Sequence, residues 1–207
     1  GLNIALITDA GTPGISDPGE VLAAMCYDAG IEVTSLPGPA ACITALTLSG
    51  LSTRRFAFEA FLPPDKKERK AILEELKSET RTIILYEAPH HLVGTLEELY
   101  QVLGNRRMTL CRELTKKHET AFRTTIQELI NFYKDQKPLG ECVLVIEGRS
   151  RKEMEQESQE SWKDISIEEH MAIYENQGIA RKEAMKMVAK DRGVTKRDIY
   201  QALLELK

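Results

Sequence analysis

The sequence predicts an α/β protein: two α/β segments in succession, then a small helical C-terminal extension. Three observations carry this expectation. Short apolar runs such as Ile4-Ala5-Leu6-Ile7 and Cys142-Val143-Leu144-Val145-Ile146 alternate with helical stretches, as buried strands do with the helices that cover them. Loops dense in glycine and proline follow the first two of these runs. Residues 165–207 keep a helical pattern and show no strand pattern.

The first segment, residues 1–53, reads as strand 3–8, helix 18–29, strand 31–36 and helix 39–49. The stretch Thr8-Asp9-Ala10-Gly11-Thr12-Pro13-Gly14-Ile15-Ser16-Asp17-Pro18-Gly19 organises it, with three glycines, two prolines and two aspartates. Glycine permits close backbone approach and proline fixes φ. In open α/β sheets, ligands bind at the carboxyl ends of strands, where this loop sits. An ordinary strand-to-helix turn needs only one Gly-Pro pair, so the density favours a ligand loop. Asp17 reads as the helix N-cap and Pro18 as the first helical residue. Pro37-Gly38-Pro39-Ala40-Ala41 is a second such loop; tight helix–sheet packing is its alternative explanation. Neither loop matches the dinucleotide or P-loop motif. Two strands cannot form a parallel sheet covered on both faces, so strands from another chain or a further N-terminal segment are expected, the second being favoured.

The second segment, residues 54–149, reads as four strands and three helices. The strands are Phe56 to Leu62, Thr82 to Tyr86, Met108 to Leu114 and Gly140 to Gly148, and the helices are 65–78, 90–103 and 125–135. Pro63-Pro64 ends the first strand. The cluster Lys66-Lys67-Glu68-Arg69-Lys70 is a solvated helix face or, beside a cleft, a phosphate holder. Glu87-Ala88-Pro89-His90-His91 suits a helix N-terminus, and two adjacent histidines cannot both face one metal.

Residues 150–164 are polar and read as a flexible linker. The extension, residues 165–207, reads as helices 166–176, 180–190 and 195–206, with Gly178 and Gly193 as breaks and Thr195 as a cap. From Gly178 onward, Arg181, Lys182, Lys186, Lys190, Arg192, Lys196, Arg197 and Lys207 stand against four acids. That excess marks a candidate helix-turn-helix-like nucleic-acid module in a chain whose net charge is -4, with a solvated helical hairpin as the alternative. Cys26, Cys42, Cys111 and Cys142 are widely spaced, which speaks against zinc and a disulfide framework and for a cytoplasmic protein. No apolar run is long enough to span a bilayer and no signal peptide pattern is seen.

Taken in order, the first loop, Pro37-Gly38-Pro39, Phe58-Glu59-Ala60-Phe61-Leu62-Pro63, Tyr86-Glu87-Ala88-Pro89-His90 and Arg112-Glu113-Leu114-Thr115-Lys116 resemble the tetrapyrrole methylase superfamily. Within it the pattern is similar to the branch of bacterial 16S ribosomal RNA (cytidine-2'-O)-methyltransferases. The resemblance implies two α/β domains of the tetrapyrrole methylase type, the first truncated here, with S-adenosyl-L-methionine in the cleft between them. It also implies a homodimer acting on 16S rRNA in the 30S ribosomal subunit. The family's further N-terminal segment has no counterpart here, in keeping with the strand shortfall. Carried over residue by residue, the cofactor contacts fall on Gly11, Thr12, Pro13, Ile15, Ala40, Ala41, Tyr86, Leu114 and the backbone around Cys142. Candidates for moving the ribose proton are Glu87, Lys116 and Glu119; no metal is implied. A corrin or porphyrin methyltransferase, which would not require a basic tail, and a non-catalytic RNA-binding fragment are the competing functions.

Overall fold

A computed structural model describes residues 1–205. The chain divides into two compact units, Gly1–Gly148 and Arg149–Lys207.

The first unit is built on a five-stranded sheet in the order β1-β2-β5-β3-β4. Its strands are β1 (Phe56–Phe61), β2 (Thr82–Glu87), β3 (Arg107–Arg112), β4 (Thr120–Thr125) and β5 (Cys142–Ile146). β1 and β2 are parallel, while β5 runs antiparallel to both β2 and β3, and β4 antiparallel to β3. The central strands are apolar on both faces because both faces are covered. Ile83, Leu85, Met108, Leu110, Leu144 and Ile146 point to one side. There they pack against α3 (Lys66–Leu76), α4 (Leu92–Leu103) and α5 (Ile126–Phe132). Ile84, Cys111, Val143 and Val145 point to the other side and meet α2 (Ala41–Ser49). Thr109 fixes α2 there by donating its Oγ1 proton to the Ser49 carbonyl at 2.9 Å. Asp65 caps α3 by accepting from the Lys67 and Glu68 amides, and a Thr125/Glu128 capping box starts α5.

The structure corrects several expectations. Residues 3–8 and 31–36 are not strands; they are irregular, and Leu2, Ile4, Ile7, Ile31 and Leu36 stay exposed. A strand exists only through a ladder with a neighbour, and among the described residues these runs find none. Helix α1 (Glu20–Asp28) forms between them with no buried residue. Its N-cap is Gly19 rather than Asp17, and no side chain caps it. The strand β4 falls where a loop was expected. Its side chains are largely exposed, so it lacks the apolar run that revealed the others, although Thr120, Phe122, Thr124 and Thr125 are good strand formers.

In the second unit, residues 150–164 hold a helix, α6 (Arg151–Ser161), where a flexible linker was expected. Its Glu, Gln, Lys and Arg residues are strong helix formers, and Ser150 accepts from the Glu153 amide at its start. Helices α7 (Ile167–Glu175), α8 (Arg181–Arg192) and α9 (Lys196–Glu205) close around Met171, Ala184, Val188, Ala189 and Ile199. Buried His170 lies flat on Trp162, with ring centroids 3.7 Å apart, and accepts from Arg192 Nε at Nδ1. Burial holds its imidazole below its usual pKa. The final residue expected in α9, Leu206, and the basic Lys207 lie outside the described residues.

Candidate active site

The two glycine-proline loops pack against each other. Thr12 Oγ1 donates to the Pro39 carbonyl at 3.0 Å. A Cβ on Gly11, whose φ is +82°, would sit 3.3 Å from that same oxygen. A Cβ on Gly38 would sit 2.9 Å from Thr12 Oγ1. The absence of side chains at these two glycines is therefore what lets the loops touch.

The second loop runs into α2, and α2 brings it to Tyr86 at the end of β2. The Cys42 amide, in the first turn of α2, donates to Tyr86 Oη at 3.0 Å. Burial, followed by the Cys42 thiol, pushes the Tyr86 hydroxyl up to about 12 against the opposing pull of the Cys42 amide, so it stays protonated at neutral pH. Phe58 and Phe61 both meet the Tyr86 ring edge-on, at 4.9 and 5.6 Å. Residues three apart on a regular strand face opposite ways. A register shift between them, with Ala60 at φ +50°, turns both rings to one side.

A second set of groups surrounds the loop after β3. Glu113 and Thr115 hold left-handed backbone, at φ +49° and +64°. Such strain in residues other than glycine persists only where neighbours enforce it. Here Glu113 Oε1 accepts from the Glu141 amide at 2.9 Å, and Glu119 Oε2 accepts from the Thr115 amide at 2.6 Å. The Glu141 amide, helped by Lys116, holds the Glu113 carboxyl below the usual range. Lys116 Nζ lies 2.9 Å from Glu141 Oε2 and 3.3 Å from Glu113 Oε1, which raises its pKa and keeps it an ammonium ion. A cleft of about 650 Å³ opens beside this loop, lined by Arg112, Glu113, His118, Glu119, Leu139 and Gly140. A second hollow, about 440 Å³, follows the carboxylates of α6 and would repel a phosphate.

Most of the expected cofactor residues come to the α2 side of the sheet. Ala40, Tyr86 and Leu114 pack on the cluster under α2, and Gly11 and Thr12 reach it through Pro39. Pro13 is half-buried, while Ile15 and Ala41 are exposed. Cys142 divides between faces. Its thiol points to the α3–α5 side, where burial raises it to about 11. Its backbone begins β5 between Glu87 and Arg112, its ladder partners at the ends of β2 and β3.

Glu87 does not join Lys116 and Glu119. Alternation along β2 turns it away from Tyr86, and it is buried, with Oε1 accepting from the Ala88 amide and Oε2 from Thr95 Oγ1. Thr95 accepts in turn from Arg69 Nη2, which makes Glu87 part of a buried structural network. Sequence reasoning missed Arg112 and His118 as cleft residues and Phe58 and Phe61 as the walls of Tyr86. The motif stretches contained Phe58, Phe61 and Arg112, and His118 lies two residues beyond the last of them, but nothing in the residue types marked their faces. Among the described residues no group of three or more His, Cys, Asp or Glu gathers as a metal site. No described helix is long and apolar enough to cross a membrane.

Comparison with known proteins gives this arrangement a family. Residues 1–130 match the family model described as Tetrapyrrole (Corrin/Porphyrin) Methylases. The chain is 45% identical over 208 residues to ribosomal RNA small subunit methyltransferase I of Synechocystis sp., covering 100% of this chain and 73% of that protein. It is 45% identical to the protein of that name from Bacillus subtilis, covering 98% and 69%, and 40% identical to that from Escherichia coli O157:H7, covering 99% and 70%. Among solved structures, the methyltransferase CobJ shares the fold, with a TM-score of 0.51 at 18% identity over 67% of this chain and 62% of that one. The chain belongs to the tetrapyrrole (corrin/porphyrin) methylase family, in the branch of ribosomal RNA small subunit methyltransferase I.

Proposed function

We propose that this protein is an S-adenosylmethionine-dependent methyltransferase that methylates the 2'-oxygen of a cytidine ribose in 16S rRNA of the small ribosomal subunit. One observation supports it above the rest: two glycine-proline loops in van der Waals contact, joined through α2 to Tyr86, in a chain whose relatives carry an rRNA methyltransferase name. The site fits the cofactor. The bare backbone at Gly11, the half-buried Thr12, Pro13 and Ala40 with exposed Ile15 and Ala41, and the apolar surface of Leu114 would hold it. The Tyr86 hydroxyl and the backbone at Cys142 would supply polar contacts. When bound, S-adenosylmethionine supplies a methyl carbon activated by a positively charged sulfur.

The protein's share is positioning and proton handling. We assign Glu119 as acceptor of the ribose hydroxyl proton and Lys116 as the cation that favours the developing alkoxide. Both sit on the strained loop beside the cleft. We assign Glu87 a structural part only. The helical extension, 165–207, is taken as the RNA-binding part, and the working form as a cytoplasmic homodimer.

Glu119→Gln keeps an oxygen for the Thr115 amide and removes the base. It should lower kcat for labelled methyl transfer to small-subunit particles by about a hundredfold or more. Its Kd for S-adenosylmethionine should stay as in the parent protein. Undiminished kcat would remove Glu119 from the reaction.

A further inference from the structure

In the second unit, α8 and α9 present one outward surface with a chemistry of its own. Lys182, Lys186 and Lys190 recur every four residues on the exposed side of α8, opposite buried Ala184 and Val188. The turn Gly193-Val194-Thr195 is tight, with Gly193 at φ +65° and Thr195 and Asp198 bonding reciprocally. It starts α9 so that Lys196 comes back beside α8. Glu183 records this placement: its carboxyl is held down first by Lys186, then also by Lys196 and Lys182.

Ile199 is buried and Leu203 packs on the same core, which fixes the inner side of α9. At 100° per residue, Arg197, Gln201 and Leu204 face outward with Asp198 and Glu205 beside Gln201, while Tyr200 and half-buried Lys196 lie on the flank next to Leu203. Tyr200 is 54% exposed. Lys182, Lys190, Lys196 and Arg197 form no ion pair among the described residues. Lys196 and Arg197, four and three residues before Tyr200, are its neighbours on the helix surface, and an exposed aromatic ring beside cations combines the two elements that bind unpaired nucleic acid: a stacking platform and charges for the backbone.

We infer that this α8–α9 face docks an unpaired stretch of RNA, with Tyr200 stacked on a base and Lys182, Lys190, Lys196 and Arg197 on phosphates. The inference rests on the rRNA reading above and adds the surface, the stacking residue and the preference for unpaired RNA.

The full chain is titrated with two fluorescent RNAs of small-subunit rRNA sequence, one with an unpaired loop and one fully paired, at several salt concentrations. Tyr200→Ala should weaken binding of the looped RNA about fivefold or more. It should leave the paired RNA unchanged, and Tyr200→Phe should retain parent affinity. Lys182→Glu with Lys190→Glu should weaken both RNAs and lower the slope of log K against log salt by about 1.4 for unpaired and about 1.8 for paired RNA, two phosphate contacts' worth. Parent affinity and parent slope in all three variants, in protein that still methylates small-subunit particles, would overturn this face as the docking surface while the rRNA reading stands. A parent protein that methylates tetrapyrrole and no RNA would overturn both.

Discussion

Valine at Gly11 would probe the contact on which the cofactor site depends. The native φ of +82° suits glycine, and an added Cβ would press on the Pro39 carbonyl at 3.3 Å. Left-handed backbone costs an L-residue about 1–2 kcal/mol, with β-branched residues at the upper end. Relieving the contact separates the loops by a few tenths of an ångström and loosens the Thr12–Pro39 hydrogen bond, worth about 0.5–1 kcal/mol at an exposed site. Together these come to about 2–3 kcal/mol, which the cofactor must overcome to restore the closed arrangement. Affinity for S-adenosylmethionine should therefore fall between about thirty- and a hundred-and-fifty-fold. No residue of this loop belongs to either cluster packed against the sheet, so the strain is relieved locally. Thermal unfolding should then move by no more than about 2 °C. Isothermal calorimetry with S-adenosylmethionine and a melting curve on the same sample decide the matter. Parent affinity in a well-folded Gly11→Val protein would refute the placement of the cofactor at this loop.

The opposite face of the sheet should behave in the opposite way. Thr95→Val removes the donor to Glu87 Oε2 and the acceptor for Arg69, at a position 1% exposed. Unpartnered buried polar groups cost about 1–3 kcal/mol, so Tm should drop by roughly 3–10 °C while cofactor affinity holds. Lost affinity at unchanged Tm would place Glu87 and Thr95 in the cofactor site after all. Glu79 should make stability depend on acid. Hydrogen bonding to Arg81 lowers its carboxyl from 4.5 to about 2. A lowered folded pKa contributes stability above the unfolded value, and that stability is lost as pH falls from 4.5 toward 2. Arg81 is partly exposed, so screening limits the effect to about 1 kcal/mol or less. Denaturant midpoints from pH 6 to pH 2 should fall less in Glu79→Gln than in the parent; parallel curves would contradict the pairing.

The legible parts of the fold were those whose chemistry is local. Ile83-Ile84-Leu85 and Val143-Leu144-Val145 read as buried strands because a strand covered on both faces must be apolar on both. Apolar runs at 3–8 and 31–36 look the same in sequence and are not strands, since pairing is a property of the neighbour. β4 went unseen for the converse reason: its exposed edge position leaves Thr120 to Thr125 without an apolar signature, while β3 supplies its ladder. Arg151–Ser161 lacked an apolar stripe and read as a linker, although its residue types favour helix. At the site, glycine and proline density located both loops, because backbone approach needs those residue types. The roles of Glu87 and Cys142 turned on strand parity, which a single uncertain strand end reverses.

The identity of the labelled nucleoside tests the central proposal most directly. Small-subunit particles lacking the modification are incubated with the protein and methyl-labelled S-adenosylmethionine, and the rRNA is digested completely to nucleosides. Label is expected in 2'-O-methylcytidine, with none in a parallel incubation with a corrin or porphyrin precursor. Label in a methylated base, or in the tetrapyrrole and not the RNA, would contradict the proposed function.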